Sequence, residues 1–217
     1  MKTTELAELI KGRRSIRNWQ SKLVPESLLT EAVELATYAP NGGNQQNWRF
    51  YVIVKPETLQ SIADAVQAAS DLMASWREPS KAGDAPPRTL PRASFFRGAP
   101  AGIAVAASAY NSPADQIFIT RAKTDPKAQQ MQKWREIADT RIQSVSSAIA
   151  YLLLILHQMG LGSVWMTGPM QAKGEIEKIL KVPPGLDLIA YLPVGYPAEN
   201  PALRARKPVM DVCEIIK

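Results

Sequence analysis

Apolar residues recur at helical spacing in five stretches of the chain, and short β-branched or small-residue runs lie between them. Leu6, Leu9 and Ile10 share one face behind Thr3 or Thr4, and Gly12 is the expected stop of that helix. Val24-Pro25-Glu26 opens a second helix, in which Leu28, Leu29, Ala32, Val33 and Ala36 keep the spacing until Pro40. Aromatic and β-branched content predicts a strand over residues 49–55, placed at the centre of the sheet. A third helix runs from residue 57 towards Trp76, with Leu59, Ile62, Ala63 and Val66 facing inward. The longest pattern covers residues 140–159. It is apolar nearly all round, from Ile142 and Val145 to Leu156 and Met159, and predicts a buried helix closed by Gly160.

Small residues at 101–107 predict another strand. Residues 163–166 follow as a short strand, then the turn Thr167-Gly168-Pro169, a helix at 173–180, and strands at 187–194 and 209–216. Prolines 79, 86, 87 and 91 interrupt regular structure, and the polar residues 111–125 read as a second excursion over the surface. Helices and strands are mixed without regular βαβ alternation. The expectation is an α+β fold over residues 1–217, a central mixed or antiparallel sheet covered by helices in one domain. Lid-like segments are expected at about 70–97 and 110–136.

Composition narrows the chemistry. Hydrophobic residues make up 46% and charged residues 21%, which fits a folded globular chain. One His and one Cys leave no multi-ligand zinc site, no internal disulfide and no spare partners for a His-based triad, so the chemistry is expected to come from a cofactor. His157, near the end of the apolar helix, reads as structural, and Cys213 as a small apolar strand residue. The longest apolar run, residues 149–156, is well short of the ~20 a bilayer needs. No signal-like segment opens the chain, so a soluble cytoplasmic protein is expected.

The net charge of +6 points to an anionic partner. Nucleic acid is disfavoured, because no reading motif accompanies the charge. The basic residues concentrate instead in Arg13-Arg14-Ser15-Ile16-Arg17 and Arg204-Ala205-Arg206-Lys207, a composition suited to one phosphate. Tyr38-Ala39-Pro40-Asn41-Gly42-Gly43-Asn44-Gln45-Gln46-Asn47-Trp48 is dense in amides beside a strand start, which suits a heterocycle edge with alternating donors and acceptors.

These two segments, with Gly160-Leu161-Gly162-Ser163-Val164-Trp165-Met166 and Leu192-Pro193-Val194-Gly195-Tyr196-Pro197 before the second basic run, together resemble the FMN-dependent nitroreductase family, in its order and over nearly the whole chain. The resemblance implies a nitroreductase-like fold in a domain-swapped homodimer with FMN sites between subunits. Arg13, Arg14, Ser15 and Arg17, with Arg204 and Arg206, would surround the FMN phosphate. Pro40, Asn41, Gly42 and Asn44 would lie along the flavin from the neighbouring subunit. Trp165, Met166, Thr167 and Gly168 would face the ring, with a backbone N–H near Thr167 or Gly168 reaching N5. The implied activity is ping-pong transfer from NADH or NADPH through flavin N5 to a nitroaromatic or quinone, with no catalytic side chain and no metal.

Asn41 stands where the family usually has Ser, and Asn47 where it has Pro; these departures bear on substrate preference. Arg92 and Arg97 are the nearest candidates for the flavin N1 and O2 edge. Trp76 and Trp134 fall in the lid-like segments and are the substrate candidates. Two other functions remain open: a non-catalytic flavin-binding or sensing protein, and a specialised relative performing reductive dehalogenation, flavin fragmentation or enone reduction.

Overall fold

A computed structural model of the chain describes residues 3–76 and 93–217. Among them is a wholly antiparallel four-stranded sheet in the order β1-β2-β4-β3, built from Trp48–Ile53, Ala101–Ser108, Leu186–Gly195 and Gly162–Ser163, with β1 to β4 numbered along the chain. The strand expected at residues 49–55 is therefore at an edge of this chain's sheet. β2 and β4 hold the centre, because each pairs on both sides.

Helices α1 (Thr3–Gly12), α2 (Glu26–Ala36), α3 (Pro56–Ser75), α4 (Pro113–Arg121), α5 (Pro126–Ala138), α6 (Thr140–Gln158) and α7 (Lys173–Leu180) surround it. The alternation of β2 decides which helix covers which face. Ala101, Ile103, Val105 and Ala107 join a core with Leu29 of α2 and Ile149, Leu152 and Leu156 of α6. Ala104 faces the other way, towards Leu59, Ile62 and Val66 of α3 and Ile176 of α7. A register shift between Val105 and Ala106 lets Leu188 of β4 join the second core while Ala190 and Leu192 join the first. Leu152 is fully buried, and truncating it to Ala would cost about 2–5 kcal/mol. Small residues in β2 have a packing reason: a Cβ on Gly102 would stand 2.3 Å from the Tyr191 hydroxyl.

α6 matches the expected buried helix. Asp139 caps its start by accepting the Ile142 N–H, and Gly160, at φ 77°, lets the Leu161 N–H reach back to the Leu156 carbonyl. Other expectations are corrected. The polar segment at 111–125 is helical, because Ser112 caps α4 and Asp125 caps α5, each followed by proline at the first helical position. The strand expected at 163–166 is reduced to Gly162–Ser163 plus a bridge between Met166 and Tyr191. α2 ends at Ala36, four residues before Pro40.

Residues 209–216 are not a strand. They hold one short 3₁₀ turn, Val209–Asp211, and expose Val212, Ile215 and Ile216, with Cys213 exposed beside them. A strand exists only by pairing, and among the described residues no strand pairs with them. The proline-rich part of the first lid-like segment, Arg92 included, lies outside the described residues. Among the described residues no helix is long and apolar enough to cross a membrane.

Candidate functional site

The first basic run is held as an extended segment rather than a solvated connector. Ile16 donates its N–H to the Ser163 carbonyl at 3.1 Å, Ser15 bridges Ser163 in parallel, and the Trp19 indole donates to the Gly162 carbonyl at 2.9 Å. Gly162 permits this approach, since a Cβ there would stand 2.7 Å from Ile16 Cγ1. On the other side Gln20 donates to the Tyr196 carbonyl, and Ala198 donates to that of Asn18. Glu199 accepts the backbone N–H groups of Arg17 and Asn18 and the Asn18 side-chain amide.

That threading brings the second basic run to the first. Arg13, Arg14, Ser15, Arg17, Arg204 and Arg206 line one cleft of ≈ 630 Å³ floored by Ala150, Leu153 and Leu154 of α6. Arg14 is a strut: its guanidinium donates to the carbonyls of Lys11, Gly12, Arg13 and Pro201. Among the described residues none of these arginines takes part in a salt bridge. Partial burial, then the charges of Arg14 and Arg206, hold the Arg13 guanidinium below its ordinary value. Burial, then Arg13 and Arg14, lowers the neighbouring His157 imidazole. Cations gathered in excess and free of salt bridges form an anion site, and the fork of each guanidinium matches phosphate oxygens.

The amide loop is equally fixed but lies elsewhere. Asn41 accepts the Gln46 N–H at 2.9 Å, Gly42 donates to Ser144 Oγ at 3.1 Å, and Ser147 Oγ donates to the Pro40 carbonyl at 2.6 Å. Gly43, Asn44 and Gln46 all have positive φ, so the loop presents a sharp, amide-lined turn. Gln45 clamps the backbone of Asn111 with both ends of its amide. Pro40, Asn41, Gly42 and Asn44 do not line the arginine cleft of their own chain, nor do Trp165, Met166, Thr167 and Gly168. Met166 is tied to Tyr191 by two backbone bonds of 3.0 Å. Trp165, Thr167 and Gly168 are exposed, and Gly168 opens the 3₁₀ turn Gly168–Ala172, where N–H groups lack helical partners.

A second cavity, of ≈ 470 Å³, opens between α4, α5 and the start of α6. Tyr110, Phe118 and Ile119 give it apolar walls, and Arg135 inside it is bonded to Asp115 and Ser112. Trp76 and Trp134 are 69% and 61% exposed, and Trp134 lines neither this cavity nor the cleft. Arg97 is occupied by Asp64 at 2.7 Å and by Gln60 at 2.8 Å.

Sequence reasoning did not name Glu199, and it read Gly162 and Gln45 only as members of their motifs, without the contacts they make. A lone acid between Pro197 and Pro201, beside a basic run, marks a turn anchor for Glu199. No local signal marks the other two, since each acts on a segment distant in sequence.

The Nitroreductase family model matches residues 10–196. An iodotyrosine deiodinase of Thermotoga neapolitana is 30% identical over 194 residues, 88% of each chain. An NADH dehydrogenase of Thermus thermophilus is 27% identical over 199 residues, 87% of this chain and 84% of its own. Among solved structures, a BluB-like flavoprotein of Clostridium difficile 630 superposes with a TM-score of 0.81 at 25% identity, over the whole of both chains. The matched span takes in the first basic run, the amide loop and every strand, and on that ground the chain belongs to the nitroreductase family.

Proposed function

We propose that this protein is a cytoplasmic, homodimeric FMN-dependent oxidoreductase that takes electrons from NADH or NADPH and passes them to an electron-poor nitroaromatic or quinone. The observation that carries this reading is the joining of the two basic runs in one cleft with no salt-bridge partner among the described residues. A phosphate monoester fits that charge, and the flavoprotein neighbour supports FMN as its bearer. The Thermus relative supports a nicotinamide donor.

Arg13, Ser15, Arg17, Arg204 and Arg206 would hold the phosphate, with Arg14 fixing the segment that carries them. Pro40, Asn41, Gly42 and Asn44 of a second subunit, with Trp165, Met166, Thr167 and Gly168, would border the ring. Bound FMN supplies two-electron chemistry at its N5. The chain's own part is to orient two successive substrates against that face and to offer exposed N–H dipoles and positive charge where negative charge is added. Two subunits are supported by the amide loop lying outside its own chain's cleft. They are also supported by the exposed apolar residues of 209–216 and by Leu6 and Ile10 of α1, none of which joins either core of the chain.

The test is the absorbance spectrum and sedimentation of the purified protein. Bound flavin in a dimer that consumes NAD(P)H with a quinone is the expected result. A colourless protein that refuses added FMN sinks the reading, and bound flavin without turnover leaves a storage or sensing protein. The deiodinase relative favours reductive dehalogenation as a second reading, for which halide release from a halogenated phenol is the readout.

A further inference from the structure

Along the α4–α5 hairpin a second hollow, of ≈ 320 Å³, adjoins the 470 Å³ cavity, and the two share Ile119, Gln132 and Glu136. Their chemistry differs. The inner cavity is apolar on one wall, and both of its arginines are already neutralised, Arg135 by Asp115 and Arg141 by Asp187 at 2.8 Å. It therefore suits a flat ring carrying no negative charge. The outer hollow is lined by Lys123 and Lys133, which take part in no salt bridge among the described residues. The inner end also abuts the amide loop, since a Cβ on Gly42 would meet Thr140 Cγ2 at 2.6 Å and the Tyr110 ring at 2.8 Å.

We infer that these joined hollows bind the electron donor, a nicotinamide dinucleotide, with its ring in the inner cavity and its phosphates against Lys123 and Lys133. The inference rests on the flavin reading above, which puts the amide loop beside the ring that the donor must reach. Six residues of helical rise separate Lys133 from Asp139 at the inner end, about 9 Å, so one extended molecule can meet both hollows. Two lysines against the single carboxylate of Glu136 at the outer end, and ion-paired arginines at the inner end, give the track a polarity that matches a molecule with a flat head carrying no negative charge and an anionic tail. An acceptor such as a quinone has no such tail and would use the inner cavity alone.

The experiment titrates the purified protein with NADP⁺ and NAD⁺ at low ionic strength, for the parent chain and for Lys123→Gln, Lys133→Gln and the double variant. Each single change should weaken NADP⁺ binding about fivefold, as expected for losing one exposed charge contact, while bound flavin is unchanged. Equal losses for NAD⁺ assign the lysines to the pyrophosphate, and losses confined to NADP⁺ assign them to the 2′-phosphate; either supports the site. Lys127→Gln, on the same hairpin but outside both hollows, controls for general charge. Unchanged affinity in the double variant, or an equal loss in Lys127→Gln, overturns the proposal. Flavin content is read on the same samples, so a colourless protein would sink the flavin reading while the titration still answers for the lysines.

Discussion

Glu199 and Asn18, 181 residues apart, are joined twice: Oε1 accepts the Asn18 N–H at 3.1 Å and Oε2 accepts the side-chain amide at 2.8 Å. This carboxylate ties the two basic segments together. Glu199→Gln sets an amide donor against the Asn18 donor and should cost about 1 kcal/mol after solvent screening, with weaker FMN binding. Burial opposes ionisation, but bonds from Arg17 and Asn18 outweigh it and hold the carboxyl below its ordinary value. The contribution is present above the ordinary range near about 4.3 and is lost as pH falls through the lower folded value. Denaturant midpoints between neutral and acid pH, compared for the two proteins, check both statements.

Arg13→Ala and Arg206→Ala should each weaken FMN binding by about 1.5–3 kcal/mol, the loss of one charged hydrogen bond. In flavin-free protein Arg206→Ala should melt no lower than the parent, since it removes like-charge repulsion felt by Arg13. Arg14→Ala should melt lower, because four carbonyl contacts go with it. Flavin titration and thermal melts separate these roles, and unchanged flavin affinity in both of the first two variants would remove the phosphate assignment.

His157 gives the flavin-free protein a pH dependence of opposite origin. Burial, then Arg13 and Arg14, depresses its folded value, so below the ordinary value near about 6.5 the unfolded chain binds a proton that the folded chain refuses. Stability should be full above that value and fall as the pH drops through it. His157→Gln should flatten the slope, and bound phosphate, by offsetting the arginine charges, should reduce it in the parent. Unfolding free energies measured from pH 8 to 5 with and without flavin decide the matter; parallel curves for parent and variant would contradict the assignment.

Trp76 and Trp134 are exposed, so truncating either should leave the melting temperature nearly unchanged. A substrate role for either predicts a shift in the relative kcat/KM for a quinone against a nitroaromatic of about 0.5–1.5 kcal/mol, with flavin content intact. Steady-state kinetics with both acceptors is the measurement. Equal effects on the two would take the tryptophans out of acceptor choice.

Much of this protein was determined locally. The all-round apolar pattern of α6, the small residues of β2 and the eight residues of α7 are legible because helix and strand periods depend only on near neighbours. The caps Ser112-Pro113 and Asp125-Pro126 are local signals as well, but the expectation of a surface excursion at 111–125 passed over them in favour of the polar composition they outweigh. Composition also marked the arginines, since a short run of like charges is visible as text. Tertiary structure decided what pairs with what. β1 is an edge because the sheet order is long-range, and residues 209–216 have strand composition but pair with no strand among the described residues. The convergence of Arg13 with Arg206 required Gly162 to admit Ile16 and Glu199 to bind Asn18, contacts between segments more than a hundred residues apart. Spacing along a chain cannot encode such contacts; only the packing that brings the segments together creates them.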